Sequence, residues 1–149
     1  MFVQPGAPEL TRLTDAGLRE SFRRDHPGQG TTNVCCCFDN AYLELLWLHD
    51  PAAAAGALLV SPADVEIIAE WYPELAAFSP MPCSRLEFPT IVVASSDDPY
   101  VACERAGEFA ESWGAELVTV EAGGHINVES GHGPWPEGKA ILQRLLDRI

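Results

Sequence analysis

Two short, continuous apolar runs dominate the sequence: Gly56-Ala57-Leu58-Leu59-Val60 and Pro89-Thr90-Ile91-Val92-Val93-Ala94, each followed by a polar turn and then by helix-forming residues. A strand that is apolar at successive positions has two faces to bury, and a parallel sheet covered by helices on both sides provides for that. Val101 to Trp113 predicts a helix with Gly114 at its C-cap position, and Glu116 to Val120 predicts a third strand. A last helix is expected from about Pro136 to Arg148, with Ile141, Leu142, Leu145 and Leu146 at core spacing. Strands alternating with helices through short loops predict βαβ units, and right-handed crossovers make an α/β protein with a doubly wound, mostly parallel sheet.

Upstream, Glu9 to Asp25 spaces Leu10, Leu13, Ala16 or Gly17 and Phe22 in a way that predicts an amphipathic helix, and His26-Pro27-Gly28-Gln29-Gly30 breaks it. Thr31 to Phe38 predicts a strand, Asp39-Asn40 a turn and Ala41 to His49 a helix, with a boundary at Asp50-Pro51. Ala63 to Met81, punctuated by Pro73, Pro80 and Pro82, predicts short helical turns. At 149 residues the chain fits one domain spanning 1–149.

The formal net charge of −13 argues against nucleic acid and anionic membrane surfaces as partners, because both are bound through clustered Lys and Arg. No apolar run approaches the roughly 20 residues that span a bilayer, and the start Met1-Phe2-Val3-Gln4 lacks a basic region leading into an apolar one. A cytoplasmic location is expected. Five cysteines, three of them consecutive at Cys35, Cys36 and Cys37, form neither a disulfide framework nor the paired spacing of a zinc site, so buried thiols in a reducing compartment are expected and no metal.

In open parallel sheets, chemistry collects beyond the carboxyl ends of the strands. Two such ends carry ionisable groups: Ser95-Ser96-Asp97-Asp98-Pro99-Tyr100 after the second apolar run, and Ala122-Gly123-Gly124-His125-Ile126-Asn127 after the third strand. Parallel strands emerge on one edge, so Asp98 and His125 can meet there. A carboxylate that fixes one imidazole nitrogen leaves the other to take a proton from a nucleophile. Each residue also has a plain structural alternative: Asp98-Pro99 opens turns, Asp97 can cap the next helix, and a loop histidine is commonly structural.

From Gly56 onward the segments Leu59-Val60-Ser61-Pro62-Ala63-Asp64, Val93-Ala94-Ser95-Ser96-Asp97-Asp98-Pro99-Tyr100, Trp113-Gly114-Ala115, Gly123-Gly124-His125-Ile126-Asn127 and Trp135-Pro136-Glu137-Gly138 follow one another at continuous spacing. In them the sequence resembles the small serine hydrolases of the retinoblastoma-binding protein 9 and YdeN type. The resemblance implies an α/β-hydrolase fold over residues 50–149, with 1–49 divergent and the N-terminal strand or strands lacking. It also implies hydrolysis of a small ester or amide without a cofactor, with Asp98 as acid and His125 as base. Asp97 stands where the family often has Asn. Ile126, Asn127, Trp135 and Pro136 would support the site, and Trp71, Tyr72 and Phe78 are candidate pocket walls or ordinary core.

The pattern departs from this family at the nucleophile. Gly-x-Ser-x-Gly on a sharp strand-to-helix turn is required, and none of the serines stands between glycines in that spacing. Element order puts the turn near Cys37-Phe38-Asp39. Cys37 is then a candidate nucleophile, since a thiol beside an imidazole is readily activated, although Cys35 and Asp39 replace the glycines that relieve such a turn. The alternative is a catalytically inactive member or gene remnant that acts as a binding protein, its first third derived from another reading frame.

Overall fold

In the computed structural model, residues 5–15, 17–37 and 42–149 are described. They form two three-stranded sheets. Helix α1 (Glu9–Asp15) precedes an antiparallel meander of β1 (Phe22–His26), β2 (Thr31–Cys37) and β3 (Tyr42–Leu48). The second sheet is parallel, in the order β4 (Ala57–Val60), β5 (Thr90–Ser95) and β6 (Glu116–Val120). Its helices are the short α2 (Val65–Ile68), α3 (Cys103–Trp113) and α4 (Pro136–Leu146), and Pro73–Phe78 makes a 3₁₀ turn.

β5 is the centre of the parallel sheet and is buried at every position. Its alternate side chains serve different layers, as the two-residue period of a strand dictates. Val92 and Ala94 pack with Ala106, Phe109, Ala110 and Trp113 of α3, whereas Ile91 and Val93 pack with Ile141 and Leu145 of α4. Helices therefore cover both faces. The buried residues of α3 recur at three- and four-residue intervals, and the helix stops at Gly114, whose φ of 70° is the left-handed cap conformation. Gly138 sits in the first turn of α4, where an added Cβ would fall inside the Trp135 indole. Gly138→Ala should lower the thermal midpoint by roughly 5 °C, the equivalent of about 1–3 kcal/mol of overpacking in a chain of this size. An unchanged melting curve would show that the indole moves aside without penalty.

The sequence-based expectations fail in three places, all instructive. The predicted helix over 41–49 is strand β3. Its run is apolar at nearly every position, so it carries no distinguishing period, and pairing decides the outcome: Val34 lies opposite Leu45 in the hairpin, and Leu45 and Trp47 point inward together. The predicted helix over 9–25 ends at Asp15, because Gly17 takes φ 96° and the Leu18 N–H donates to the Leu13 carbonyl. Phe22–His26 becomes instead an exposed edge strand. β4, expected to be buried on both faces, borders the parallel sheet and leaves Val60 at its exposed end.

The meander packs Val34, Leu45 and Trp47 with Leu13 of α1 and with Val65, Ile68 and Phe78, so the segment between β4 and β5 bridges the two sheets. Phe78 is thereby core and not a pocket wall. Arg105 on α3 fastens that segment, donating to Asp64 at 3.0 Å and pairing with Glu66, while Glu108 of the same helix also holds its guanidinium. Among the described residues no helix is long and apolar enough to cross a membrane.

Candidate active site

The loops leaving β5 and β6 lie side by side at the carboxyl edge of the parallel sheet. Asp98 is fully buried at its side chain, and His125 keeps about a third of its own exposed. The His125 Nδ1 lies 2.9 Å from Asp98 Oδ2 and 3.1 Å from Oδ1. Asp98 Oδ1 also accepts the Tyr100 backbone N–H at 2.9 Å, which holds the carboxylate toward the imidazole. With a carboxylate against it, Nδ1 is the protonated nitrogen, and any transfer of a proton falls to Nε2.

The neighbouring Asp97 points elsewhere. Its Oδ1 accepts the Ser95 hydroxyl at 2.7 Å and the Gly124 N–H at 2.7 Å, and these bonds hold its carboxyl below the usual carboxylate range. Of the two adjacent aspartates, the second is the one that reaches the histidine.

The His125 loop is conformationally costly. Ala122, Gly124 and Ile126 all have φ near +50°, and for a β-branched residue such as Ile126 that conformation is an outlier costing about 1–3 kcal/mol. Ile126 nevertheless packs beside Ile91, Val93, Ile141 and Leu145, and that burial offsets the strain. Asn127 and Ser130 close the following turn reciprocally: the Ser130 N–H donates to Asn127 Oδ1, and the Asn127 N–H donates to Ser130 Oγ, each at 3.0 Å. Trp135 lies edge-on to His132, with ring centroids 5.8 Å apart.

Sequence reasoning gave Tyr100 no part in the site. The Tyr100 ring stands edge-on to the His125 imidazole with centroids 4.7 Å apart, and Trp71 stands edge-on to Tyr100 at 6.0 Å. Trp71 is half-exposed, so this aromatic ladder leads from the imidazole to solvent. The Asp-Pro-Tyr spacing was the available signal for Tyr100. Ser61, at the carboxyl end of β4, has φ 46° and a hydroxyl buried without a hydrogen-bond partner among the described residues. That burial closes it to substrate.

The Cys37-Phe38-Asp39 turn falls at the margin of what is described. Cys37 ends β2, its side chain and residues 38–41 lie outside the described residues, and the chain returns from there as strand β3. The backbone therefore runs strand to strand, not strand to helix. A cavity of about 470 Å³ sits on the meander, lined among others by Arg23, Asp25, Trp47 and His49, and shares no lining residue with the Asp98–His125 pair. Among the described residues no group of three or more His, Cys, Asp or Glu side chains is arranged to hold a metal ion.

Comparison with known proteins supplies the context for this geometry. The family described as Serine hydrolase matches residues 34–144, well over half of the chain, beginning inside β2. A crystal structure described as a YdeN-like hydrolase from Pectobacterium atrosepticum is similar at 35% identity with a TM-score of 0.54, covering 62% of this chain. The chain spans 46% of the length of that protein. No curated protein matches it.

Proposed function

Since the chain belongs to the serine hydrolase family, in its YdeN type, we propose that it acts on a small carboxylic ester or amide through Asp98 and His125, on a sheet of the doubly wound α/β-hydrolase kind. The observation that carries this reading is the hydrogen-bonded Asp98–His125 pair at the carboxyl edge of the parallel sheet. In the reaction His125 Nε2 takes the proton of the attacking nucleophile as it bonds to the substrate carbonyl carbon. The imidazolium, stabilised by Asp98, then returns that proton to the departing alcohol or amine. Trp71, Tyr72 and Tyr100 form an apolar flank for the acyl or leaving group. No metal or organic cofactor enters the scheme, and a cytoplasmic setting suits cysteines kept as thiols.

A second reading has its own observation. The β2–β3 hairpin occupies the place where a nucleophile-bearing strand would turn into a helix. It favours a catalytically inactive member, or gene remnant, that binds small molecules or a partner in the same cleft. A fluorophosphonate probe together with a short-chain p-nitrophenyl ester separates the two. Neither labelling nor turnover would leave the binding reading alone standing. For Cys37 as nucleophile, iodoacetamide should label it several-fold faster in the native protein than in His125→Ala, because the imidazole supplies the thiolate; equal rates would remove the thiol from consideration.

A further inference from the structure

The contacts between the two loops are consecutive, with the first two crossed. The Ala122 N–H donates to Ser96 Oγ at 3.0 Å, the Gly123 N–H to Ser95 Oγ at 2.9 Å, and the Gly124 N–H to Asp97 Oδ1 at 2.7 Å. The next residue of each loop makes the His125–Asp98 contact. Three successive side chains thus capture three successive amides immediately before the imidazole. Ser95, wholly buried at the end of β5, joins the set internally by donating to Asp97 Oδ1 while accepting from Gly123.

Backbone amides satisfied by ordinary turns need no such help. Here the segment has left-handed φ at Ala122, Gly124 and Ile126, so its own turn hydrogen bonds cannot serve all three amides, and the β5 loop serves them instead. The glycines fit the same purpose. A Cβ on Gly123 would press on Ser95 Oγ and Val120, and one on Gly124 would meet the Ser130 Cβ at 2.7 Å. The loop is clamped too closely for side chains on its inner face.

From this geometry we infer that Ser95, Ser96 and Asp97 are positioning residues: a three-rung clamp that indexes His125 against Asp98 and so fixes which imidazole nitrogen is left for proton transfer. Asp97 acts through one oxygen, Oδ1, which accepts both of its bonds. An amide oxygen also offers two lone pairs, so the clamp requires an acceptor at 97 and not a charge. Loosening the rung by the length of one hydrogen bond displaces the imidazole enough to cost about 10- to 100-fold in rate. The kinetic half of this inference rests on the hydrolase reading; the hydrogen-bonding half does not.

The test compares Asp97→Ala, Asp97→Asn and Ser96→Ala with the unmodified protein. Positions 96 and 97 are exposed, so folding survives, which the melting curve checks. The readouts are the low-field proton resonance and ¹⁵N shifts of His125 by NMR, and kcat and KM for a short-chain p-nitrophenyl ester. Asp97→Ala should broaden the His125 Nδ1–H resonance and mix the tautomers, lowering kcat about 10- to 100-fold with KM within twofold. Ser96→Ala should do the same more weakly, and Asp97→Asn should restore both signals. An Asp97→Ala protein with the resonance and tautomer of the unmodified chain would overturn the inference, as would an Asp97→Asn protein no better than Asp97→Ala. If no form turns over ester while the NMR pattern follows this order, the clamp stands and the hydrolase reading falls.

Discussion

Replacing His125 with alanine should lower kcat/KM for a short-chain p-nitrophenyl ester by about 10²- to 10⁴-fold, the range a positioned acid–base group contributes, with the melting curve nearly unchanged. The side chain is part-exposed and meets the Asp98 carboxylate and the Tyr100 ring, so folding loses little when it is cut back. Asp98→Asn is the sharper companion. The amide keeps the size of the carboxylate and its acceptor for the Tyr100 N–H, but its NH₂ can face Nδ1 and favour the tautomer with the proton on Nε2, where a base cannot accept another. The loss should be similar in size and should appear in kcat. Steady-state kinetics on the three proteins check this. Equal turnover in all of them would assign any hydrolysis to another part of the molecule.

The same two residues show what a sequence of this kind reveals and what it conceals. The meeting of Asp98 and His125 was legible because a parallel sheet brings its strand ends to one edge, and the apolar runs ending at Val60 and Ala94 disclose such a sheet. β5 and α3 were equally plain: one is apolar at every position, and the other has its Ala106-Phe109-Ala110-Trp113 spacing closed by a glycine. β3 was not, because Leu43-Glu44-Leu45-Leu46-Trp47-Leu48 satisfies either period and only the hairpin partner β2 selects between them. Nor was β1, whose Arg23, Arg24 and Asp25 carry no apolar alternation and whose strand pairing, among the described residues, is with β2. The amide clamp was invisible for another reason. Its serines and aspartate look like turn residues until a second loop, more than 25 positions away, presents three amides to them.

Replacing Arg105 with alanine should destabilise the fold substantially. Its guanidinium donates to Asp64, whose side chain is nearly fully buried, and pairs with Glu66 and Glu108, while its plane covers the Phe109 ring at 4.5 Å. Arg105→Ala leaves a buried carboxylate without its cation, a defect worth about 3–5 kcal/mol when fully enclosed. Because the arginine is one-third exposed and solvent screens part of the pair, about 2–3 kcal/mol is expected, or roughly 5–10 °C in thermal midpoint.

The dependence of that loss on pH identifies its cause. Burial pushes the Asp64 carboxyl up, and the hydrogen bond shared with Asp64, with the Met81 N–H and Arg105 adding to it, pulls Glu66 down to about 2. For Glu66 the folded value lies below the unfolded one. Its contribution is therefore complete above about pH 4.5 and is lost as pH falls toward 2. Asp64 runs the other way. Its folded form holds a proton more readily than its unfolded form, and once Arg105 is gone the penalty of the bare carboxylate disappears as it protonates on acidification. The Glu66 effect is largely common to the unmodified protein and Arg105→Ala, because Asp64 and the Met81 N–H cause most of it, so the protonation of Asp64 is what shrinks the difference between them as pH falls. Denaturant titrations of the two at pH 7 and pH 4 should show the gap narrowing at the lower value. A gap that stays constant would mean that lost packing over Phe109, and not the stranded Asp64 carboxylate, accounts for the destabilisation.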